Sequence, residues 1–108
     1  MKLIIAIVTD EDAGKVLTEL NRAGFSVTKL ATTGGFLRAG NVTMLIGTDE
    51  DKVDDAIKII AEKSHKRKQF ATPPMPISSR SAYTPYPIEI EVGGATVFVM
   101  DIERFEKL

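Results

Sequence analysis

Cysteine is absent from this chain of 108 residues, and histidine occurs once, at His65. The lack of cysteine excludes disulfides, thiolate metal sites and cysteine nucleophiles, and it fits a reducing cytoplasm. With a single histidine, one chain does not supply a cluster of histidine metal ligands or a histidine-based catalytic triad. We therefore predict no catalytic residues, no metal site and no cofactor.

Neither sign of charge is in excess, because 14 lysines and arginines stand against 15 aspartates and glutamates, for a formal net charge of −1. Nucleic-acid polymers and anionic membranes attract proteins with a marked positive excess. We expect neither as a partner, so that any anion must be recognised locally. The apolar run from Leu3 to Val8 is too short for a membrane span or a signal segment, and we expect a cytoplasmic protein.

Two stretches have the apolar spacing of amphipathic helices. The first helix is predicted to start at a cap on Thr9 or Asp10 and to end at Gly24, where a C-terminal glycine cap belongs. The second is predicted to start from a capping box that opens at Thr48 and to end near Ser64.

Acidic residues cluster where the first helix begins, at Asp10, Glu11 and Asp12. We interpret them as stabilising the positive end of the helix dipole, with a catalytic carboxylate cluster as the alternative. Glu89 and Glu91 lie on one face of a predicted strand. For these two, solvated or cross-strand paired charges are the interpretation that we prefer.

Five segments have the apolar runs or the alternation typical of strands: Lys2–Val8, Phe25–Ala31, Asn41–Ile46, Ile88–Val92 and Ala95–Met100. The last two flank Gly93-Gly94, which predicts a hairpin with a tight turn. The order of elements predicts an α+β fold, a ferredoxin-like βαββαβ sandwich with an extra C-terminal strand, as one domain over 1–108. RNA-recognition proteins share this fold but stack bases on aromatic residues of the central strands, which the first and third segments lack.

The first and third strands carry apolar residues on both sides, which predicts that another subunit covers the sheet face away from the helices. Two predicted loops separate the elements. Thr32–Gly40 contains three glycines, and Gln69–Pro87 contains all five prolines. The basic run His65–Lys68 is interpreted as cations at the end of the second helix, with contact to a phosphate or a partner as the alternative.

The stretch Lys29–Gly47 combines glycines, hydroxyls and an aromatic ring between two strands. Gly34, Gly35 and Gly40 leave backbone N–H groups free for phosphate oxygens, and Phe36 offers a flat surface for a base. Further polar groups come from Thr28, Thr32, Thr33 and Asn41. The segment lacks the Gly-Lys-Ser/Thr ending of a P-loop, and a strand rather than a helix follows it. A ligand loop is the interpretation that we pursue, and an ordinary hairpin whose ring fills an interface is the alternative.

Two long motifs, KLATTGGFLRAGN at 29–41 and PYPIEIEVGGATVFV at 85–99, are distinctive when they occur together. On these motifs, and over nearly its whole length, the chain resembles the PII-like cyclic di-AMP receptor family. Members of that family are homotrimers of ferredoxin-like subunits that bind one cyclic dinucleotide in each cleft between neighbours, without catalysis. The resemblance implies a non-enzymatic receptor whose ligand is cyclic di-AMP.

The resemblance also implies roles for matching residues. Thr28 would hydrogen-bond a phosphate, Phe36 and Leu37 would sandwich one adenine, and Phe98 would line the same interface from the C-terminal sheet. The predicted ligand-binding residues are Ser26, Val27, Thr28, Gly35, Phe36, Leu37, Gly40, Asn41, Gly47 and Phe98.

By the same resemblance, Gly40, Asn41 and Gly47 would shape the pocket and read a base edge. The loops Thr32–Gly40 and Gln69–Pro87 would become ordered when ligand binds and would relay binding to a downstream protein that the sequence does not identify.

One departure concerns Gly24-Phe25-Ser26, where related sequences often have Asn-Phe-Arg. Losing a charge-assisted hydrogen bond costs on the order of 1.5–3 kcal/mol unless Lys29 or Arg38 substitutes. Two alternative functions stand beside the receptor. One is a PII-type regulator that senses ATP or another metabolite and docks on a transporter or enzyme, and the other is a structural trimer whose loops bind a protein constitutively.

Overall fold

The computed structural model describes residues 1–30, 40–71 and 88–108. These residues form two α-helices, six β-strands and a short 3-10 helix. In chain order the elements are β1 Lys2–Thr9, α1 Asp10–Arg22, β2 Ser26–Leu30, β3 Asn41–Thr48, the 3-10 helix Glu50–Lys52, α2 Val53–Ser64, β4 Arg67–Ala71, β5 Ile88–Val92 and β6 Ala95–Asp101.

Four strands form one antiparallel sheet in the order β2-β3-β1-β6. β1 lies between β3 and β6, so that Ile5 is paired with Leu45 on one side and with Phe98 on the other. This arrangement of β1, α1, β2, β3, α2 and β6 is the ferredoxin-like βαββαβ unit, which confirms the predicted α+β fold class.

Helix α1 has the predicted bounds. Thr9 precedes it with an extended backbone, and the Thr9 hydroxyl donates a hydrogen bond to Asp12 Oδ2 at 3.1 Å. The helix ends at Arg22, and Gly24 follows with a φ of 92°, a left-handed conformation that glycine adopts without strain. The predicted glycine cap is therefore confirmed.

Helix α2 ends at Ser64, as predicted, but its start differs from the prediction. The chain first makes the 3-10 helix Glu50–Lys52, whose N-cap is Asp49, and the Asp49 side chain makes no capping hydrogen bond. The predicted capping box at Thr48 is therefore wrong, because the 3-10 turn moves the first α-helical residue to Val53.

The hydrophobic core lies between the two helices and one face of the sheet. Three β1 residues, Ile4, Ala6 and Val8, are at most 1% exposed. They pack with the apolar stripes of both helices and with β3, in a cluster that includes Val16, Leu20, Met44, Ile46, Ala56 and Ile60. Burial of these side chains removes apolar surface from water and is the main contribution to stability.

Strands β4 and β5 pair with each other in a separate two-stranded ribbon, while β6 pairs with β1. The predicted hairpin between β5 and β6 is therefore wrong. Gly93 and Gly94, with φ of 84° and 88°, lead the chain from the ribbon into the sheet, and the Gly94 N–H donates to the carbonyl of Ser64. The predicted loop Gln69–Pro87 also begins too early, because Gln69–Ala71 belong to β4.

Two ion pairs link β5 to the other side of the ribbon, one to Lys68 of β4 and one to Lys66 just before it. Lys66 Nζ lies 3.6 Å from Glu91 Oε1, and Lys68 Nζ lies 3.2 Å from Glu89 Oε1. The interpretation of the two glutamates as paired charges is confirmed. The basic run does not act as a set of helix-end cations, because Arg67 and Lys68 belong to β4 and pair with acidic side chains.

Candidate functional site

One face of the four-stranded sheet carries most of the described residues of the predicted ligand site. Side chains alternate along a strand, so the residues between Ile4, Ala6 and Val8 point away from the helices. They are half-buried in the protomer. We define the outer face as Leu3, Ile5 and Ile7 with their cross-strand neighbours Ser26, Thr28, Leu30, Thr43, Leu45, Gly47, Thr96, Phe98 and Met100.

One row across the outer face runs from Thr28 through Leu45 and Ile5 to Phe98. Thr28 is exposed, and Phe98 is 53% exposed. Leu45 and Ile5 are half-buried between them. The row therefore presents a hydroxyl at one end, an aromatic ring at the other and an apolar floor between them, which suits a ligand with both polar groups and flat rings.

The next row places Ser26 opposite Gly47. A groove of about 220 Å³ runs past both residues and past Gly24 and Lys52. A Cβ added at Gly47 would meet no other atom within 4 Å, so the glycine leaves the space in front of β3 open. The predicted site residues Ser26 and Gly47 thus share one groove with Gly24, where this sequence has glycine in place of the asparagine of related sequences.

Gly40 and Asn41 lie at the opposite end of β3. Gly40 has a φ of 102°, and its carbonyl accepts a hydrogen bond from the Asp10 N–H at 2.6 Å. Asn41 is paired with Thr9 of β1. A second groove, of about 280 Å³, passes Asn41 and Thr9 and continues along Lys66 and Thr96. It is referred to below as the Asn41 groove.

The two grooves are far apart in one protomer. Asn41 and Gly47 are six residues apart on β3, which corresponds to roughly 20 Å at about 3.4 Å per residue. The predicted site residues therefore form two groups, one around Ser26 and Gly47 and the other around Gly40 and Asn41, with the row of Thr28 and Phe98 between them.

Val27 differs from its neighbours on β2, because its side chain packs against the core rather than on the outer face. Gly35, Phe36 and Leu37 lie outside the described residues, as do the rest of the glycine loop up to Ala39 and the part of the second loop from residue 72 to residue 87.

Asp12 and Arg67 form a contact that the sequence analysis missed. Asp12 is fully buried, and Arg67 donates to both of its carboxylate oxygens, from Nη2 to Oδ1 at 2.8 Å and from Nη1 to Oδ2 at 3.1 Å. These hydrogen bonds, with a smaller contribution from Thr9, hold the pKa of Asp12 below its usual value despite its burial. The same hydrogen bonds raise the pKa of Arg67.

The pair also extends toward the Asn41 groove. Thr9, which donates to Asp12, lines that groove beside Asn41. Arg67 donates a further hydrogen bond to the carbonyl of His65 at 3.2 Å. The base of the ribbon is therefore tied to the end of the sheet where Asn41 lies.

Groups of metal-ligating side chains and membrane-spanning helices are both missing from the part of the chain that the structure describes. Across residues 1–30, 40–71 and 88–108, no three histidine or acidic side chains are grouped so that they could hold a metal ion. In the same ranges neither helix has the length and apolar character that a membrane span requires.

Comparison with known proteins gives two results. The sequence model of a family described as "Cyclic-di-AMP receptor" matches residues 1–108. A solved crystal structure of a functionally unknown protein from Pediococcus pentosaceus ATCC 25745 is similar, with 42% sequence identity and a TM-score of 0.77. That match covers 99% of this chain and 96% of the other.

Proposed function

The chain belongs to the cyclic-di-AMP receptor family, and on that basis we propose that it is a cytoplasmic, non-enzymatic receptor that binds cyclic di-AMP on the outer face of its sheet. The observation that carries the proposal is the row from Thr28 to Phe98, which joins a hydroxyl and an exposed ring across an apolar floor. Cyclic di-AMP has the matching chemistry, since it combines flat adenines with anionic phosphodiesters.

The ligand binds in clefts between the subunits of a homotrimer. Two features of the protomer support this. The outer face exposes large apolar side chains, including Phe98, Met100 and Leu30, which another subunit would cover. The two groups of predicted site residues are also roughly 20 Å apart, so one compact ligand reaches both groups more readily when they come from different protomers.

Thr28 donates to a phosphate oxygen and the ring of Phe98 lines the base pocket in this proposal. The Asn41 amide has both a donor and an acceptor, which suits the edge of an adenine. Ser26 and Gly47 border the ligand at the other end, where Gly24 and Ser26 offer fewer polar contacts than asparagine and arginine would.

Binding is relayed through the loops 32–40 and 69–87 to a downstream protein. The described residues at the loop ends support this. Gly40 is held by Asp10 at the start of α1, and the second loop leaves the sheet through the ribbon, whose base is held by Asp12. Loops that begin at such fixed points can change conformation at their tips while the sheet stays unchanged.

Titration calorimetry of the purified protein against cyclic di-AMP, cyclic di-GMP and ATP tests the proposal. We expect saturable binding of cyclic di-AMP and at least tenfold weaker binding of the other two. Light scattering before and after ligand addition should give the mass of a trimer. Absence of heat with cyclic di-AMP would refute the receptor, and preferential ATP binding would support a PII-type metabolite sensor instead.

A further inference from the structure

We infer that Lys66 binds a phosphate of the ligand in the Asn41 groove, an assignment that rests on the proposed function. A chain with a formal net charge of −1 does not attract an anion through its overall charge, so the site needs a local cation. Among the described residues that line the Asn41 groove, Lys66 is the one cation.

The polar groups of the Asn41 groove surround the place where an anion would lie. Asn41 is paired with Thr9 of β1, and Thr96 of β6 is paired with Ile7 of the same strand. The Thr96 hydroxyl and the Lys66 ammonium group can both donate hydrogen bonds to the oxygens of one phosphodiester. A second groove that Lys66 borders, beside α2, is lined mainly by apolar residues such as Ile57, Ile60 and Val97.

Gly94 positions Lys66. A Cβ added at Gly94 would lie 3.0 Å from Lys66 Cγ and 3.3 Å from Cε, so the lysine stem runs directly over the glycine. Gly94 has a φ of 88°, and its N–H is bonded to Ser64, so its backbone is fixed in place. The stem therefore packs against the wall of the groove at Gly94, while the side chain stays largely exposed.

The ion pair of Lys66 with Glu91 does not prevent this role. The two charged atoms are 3.6 Å apart, and both side chains are more than half exposed. An exposed pair of this kind is weak and is screened by salt. A phosphodiester with additional hydrogen-bond partners in the groove therefore competes with the carboxylate for the ammonium group.

Lys68 provides a matched control. It lies on β4, two residues after Lys66, its side chain is 73% exposed against 74% for Lys66, and it pairs with Glu89 as Lys66 pairs with Glu91. Lys68 does not line the Asn41 groove. Lys66→Gln and Lys68→Gln therefore remove the same charge from the same ribbon and differ in access to the groove.

The test is calorimetric titration of the full chain with cyclic di-AMP for the parent protein, Lys66→Gln and Lys68→Gln, at about 50 mM and about 500 mM salt. We expect Lys66→Gln to weaken binding about tenfold at low salt, as expected for loss of one charge-assisted hydrogen bond, and to reduce the salt dependence. Lys68→Gln should stay within about twofold of the parent, because its charge is distant and screened.

Different outcomes separate the two proposals. Equal effects of the two variants, or unchanged affinity in Lys66→Gln, would overturn the assignment of Lys66 while leaving the receptor intact. Absence of binding in the parent protein would overturn both. Melting temperatures of all three proteins should agree, because neither lysine contributes to the core, and this excludes loss of folding as the cause.

Discussion

The carboxylate of Asp12 and the guanidinium of Arg67 face each other in parallel, with two hydrogen bonds of 2.8 and 3.1 Å. One partner belongs to the first turn of α1 and the other to the first residue of β4. A two-stranded ribbon is marginally stable by itself in water. The pair is therefore one of the contacts that fix the base of the ribbon against the ferredoxin-like unit.

Asp12→Asn is expected to lower the free energy of unfolding by roughly 1–3 kcal/mol, because the charged hydrogen bonds weaken and Arg67 loses its counterion. Urea unfolding followed by circular dichroism measures this change. Hydrogen exchange should also show faster exchange in β4 and β5 than in the parent, with β1 and β3 nearly unchanged.

The control for Asp12 is Asp10→Asn, which removes an exposed acid from the same helical turn. Its effect should remain within about 0.5 kcal/mol, as is usual for surface substitutions. Equal losses in the two variants would mean that the helix dipole, rather than the ion pair, explains the effect.

The stability that Asp12 provides should depend on pH in a defined direction. Its pKa is lowered in the folded protein from the ordinary value of 3.8, chiefly by the Arg67 hydrogen bonds. The contribution is therefore fully present above 3.8 and is lost as the pH falls through the lowered pKa. Unfolding curves at a series of acidic pH values should show the difference between the parent and Asp12→Asn shrinking in that window, and a constant difference would contradict the assignment.

Gly93→Ala should destabilise the base of the ribbon. The new Cβ would lie 2.5 Å from the His65 carbonyl oxygen and 2.7 Å from Arg67 Nη1, at a backbone φ of 84°. Holding alanine in this left-handed backbone conformation alone lowers the free energy of unfolding by about 1–3 kcal/mol. Thermal and urea unfolding measure the loss.

Gly14→Ala serves as the opposite control, because Gly14 is an exposed residue of α1 and its Cβ would meet nothing within 4 Å. Alanine in a helix is favoured over glycine, so we expect a gain of about 0.5–1 kcal/mol. Destabilisation by both substitutions would indicate that the strain is not specific to Gly93.

Thr28→Val is expected to weaken cyclic di-AMP binding about tenfold or more, because it removes the hydroxyl proposed to donate to a charged phosphate. The β-branched shape suits the strand, so folding should be retained. Thr18→Val, on the exposed part of α1, makes the same chemical change away from the outer face. Unchanged affinity in Thr28→Val would show that the Thr28 hydroxyl does not bind the ligand.

Leu45→Glu should disrupt assembly of the proposed trimer. Leu45 is half-buried at the centre of the outer face, and a carboxylate there would have to lose its water in a subunit interface. We expect a smaller species by light scattering with a far-ultraviolet spectrum like that of the parent. Thr18→Glu adds the same charge to α1 and should leave the mass unchanged, and a trimer that persisted in Leu45→Glu would place the interface elsewhere.

The ferredoxin-like unit was predictable because each of its elements has a local signal. The apolar stripe and Gly24 indicate α1, the apolar runs indicate β1 and β3, and the two-residue period of any strand then fixes which side chains share a face. The rows of the outer face then follow from strand order and register, which place Thr28 and Phe98 at the two ends of one row.

The ribbon was not predictable in the same way. Its charged strand β4 has no apolar alternation, and Gly93-Gly94 looks the same in sequence whether it closes a hairpin or connects two different sheets. The partner of Asp12 lies 55 positions away, so its role is set by the tertiary fold and not by the helix start that its neighbours indicate.

The pairing of β1 with β6 joins the first and the last strand of the chain, with Lys2 opposite Asp101. The chain between these two strands is long, so bringing them together costs conformational entropy. Proteins that depend on such distant contacts fold more slowly than those with local contacts. During synthesis, β1 can pair with β3 early. The other edge of β1 has no strand to pair with until β6 is made, and until then it is open to association with other chains. Phe98 lies on that same last strand, so a growing polypeptide completes the outer face only when the sheet closes.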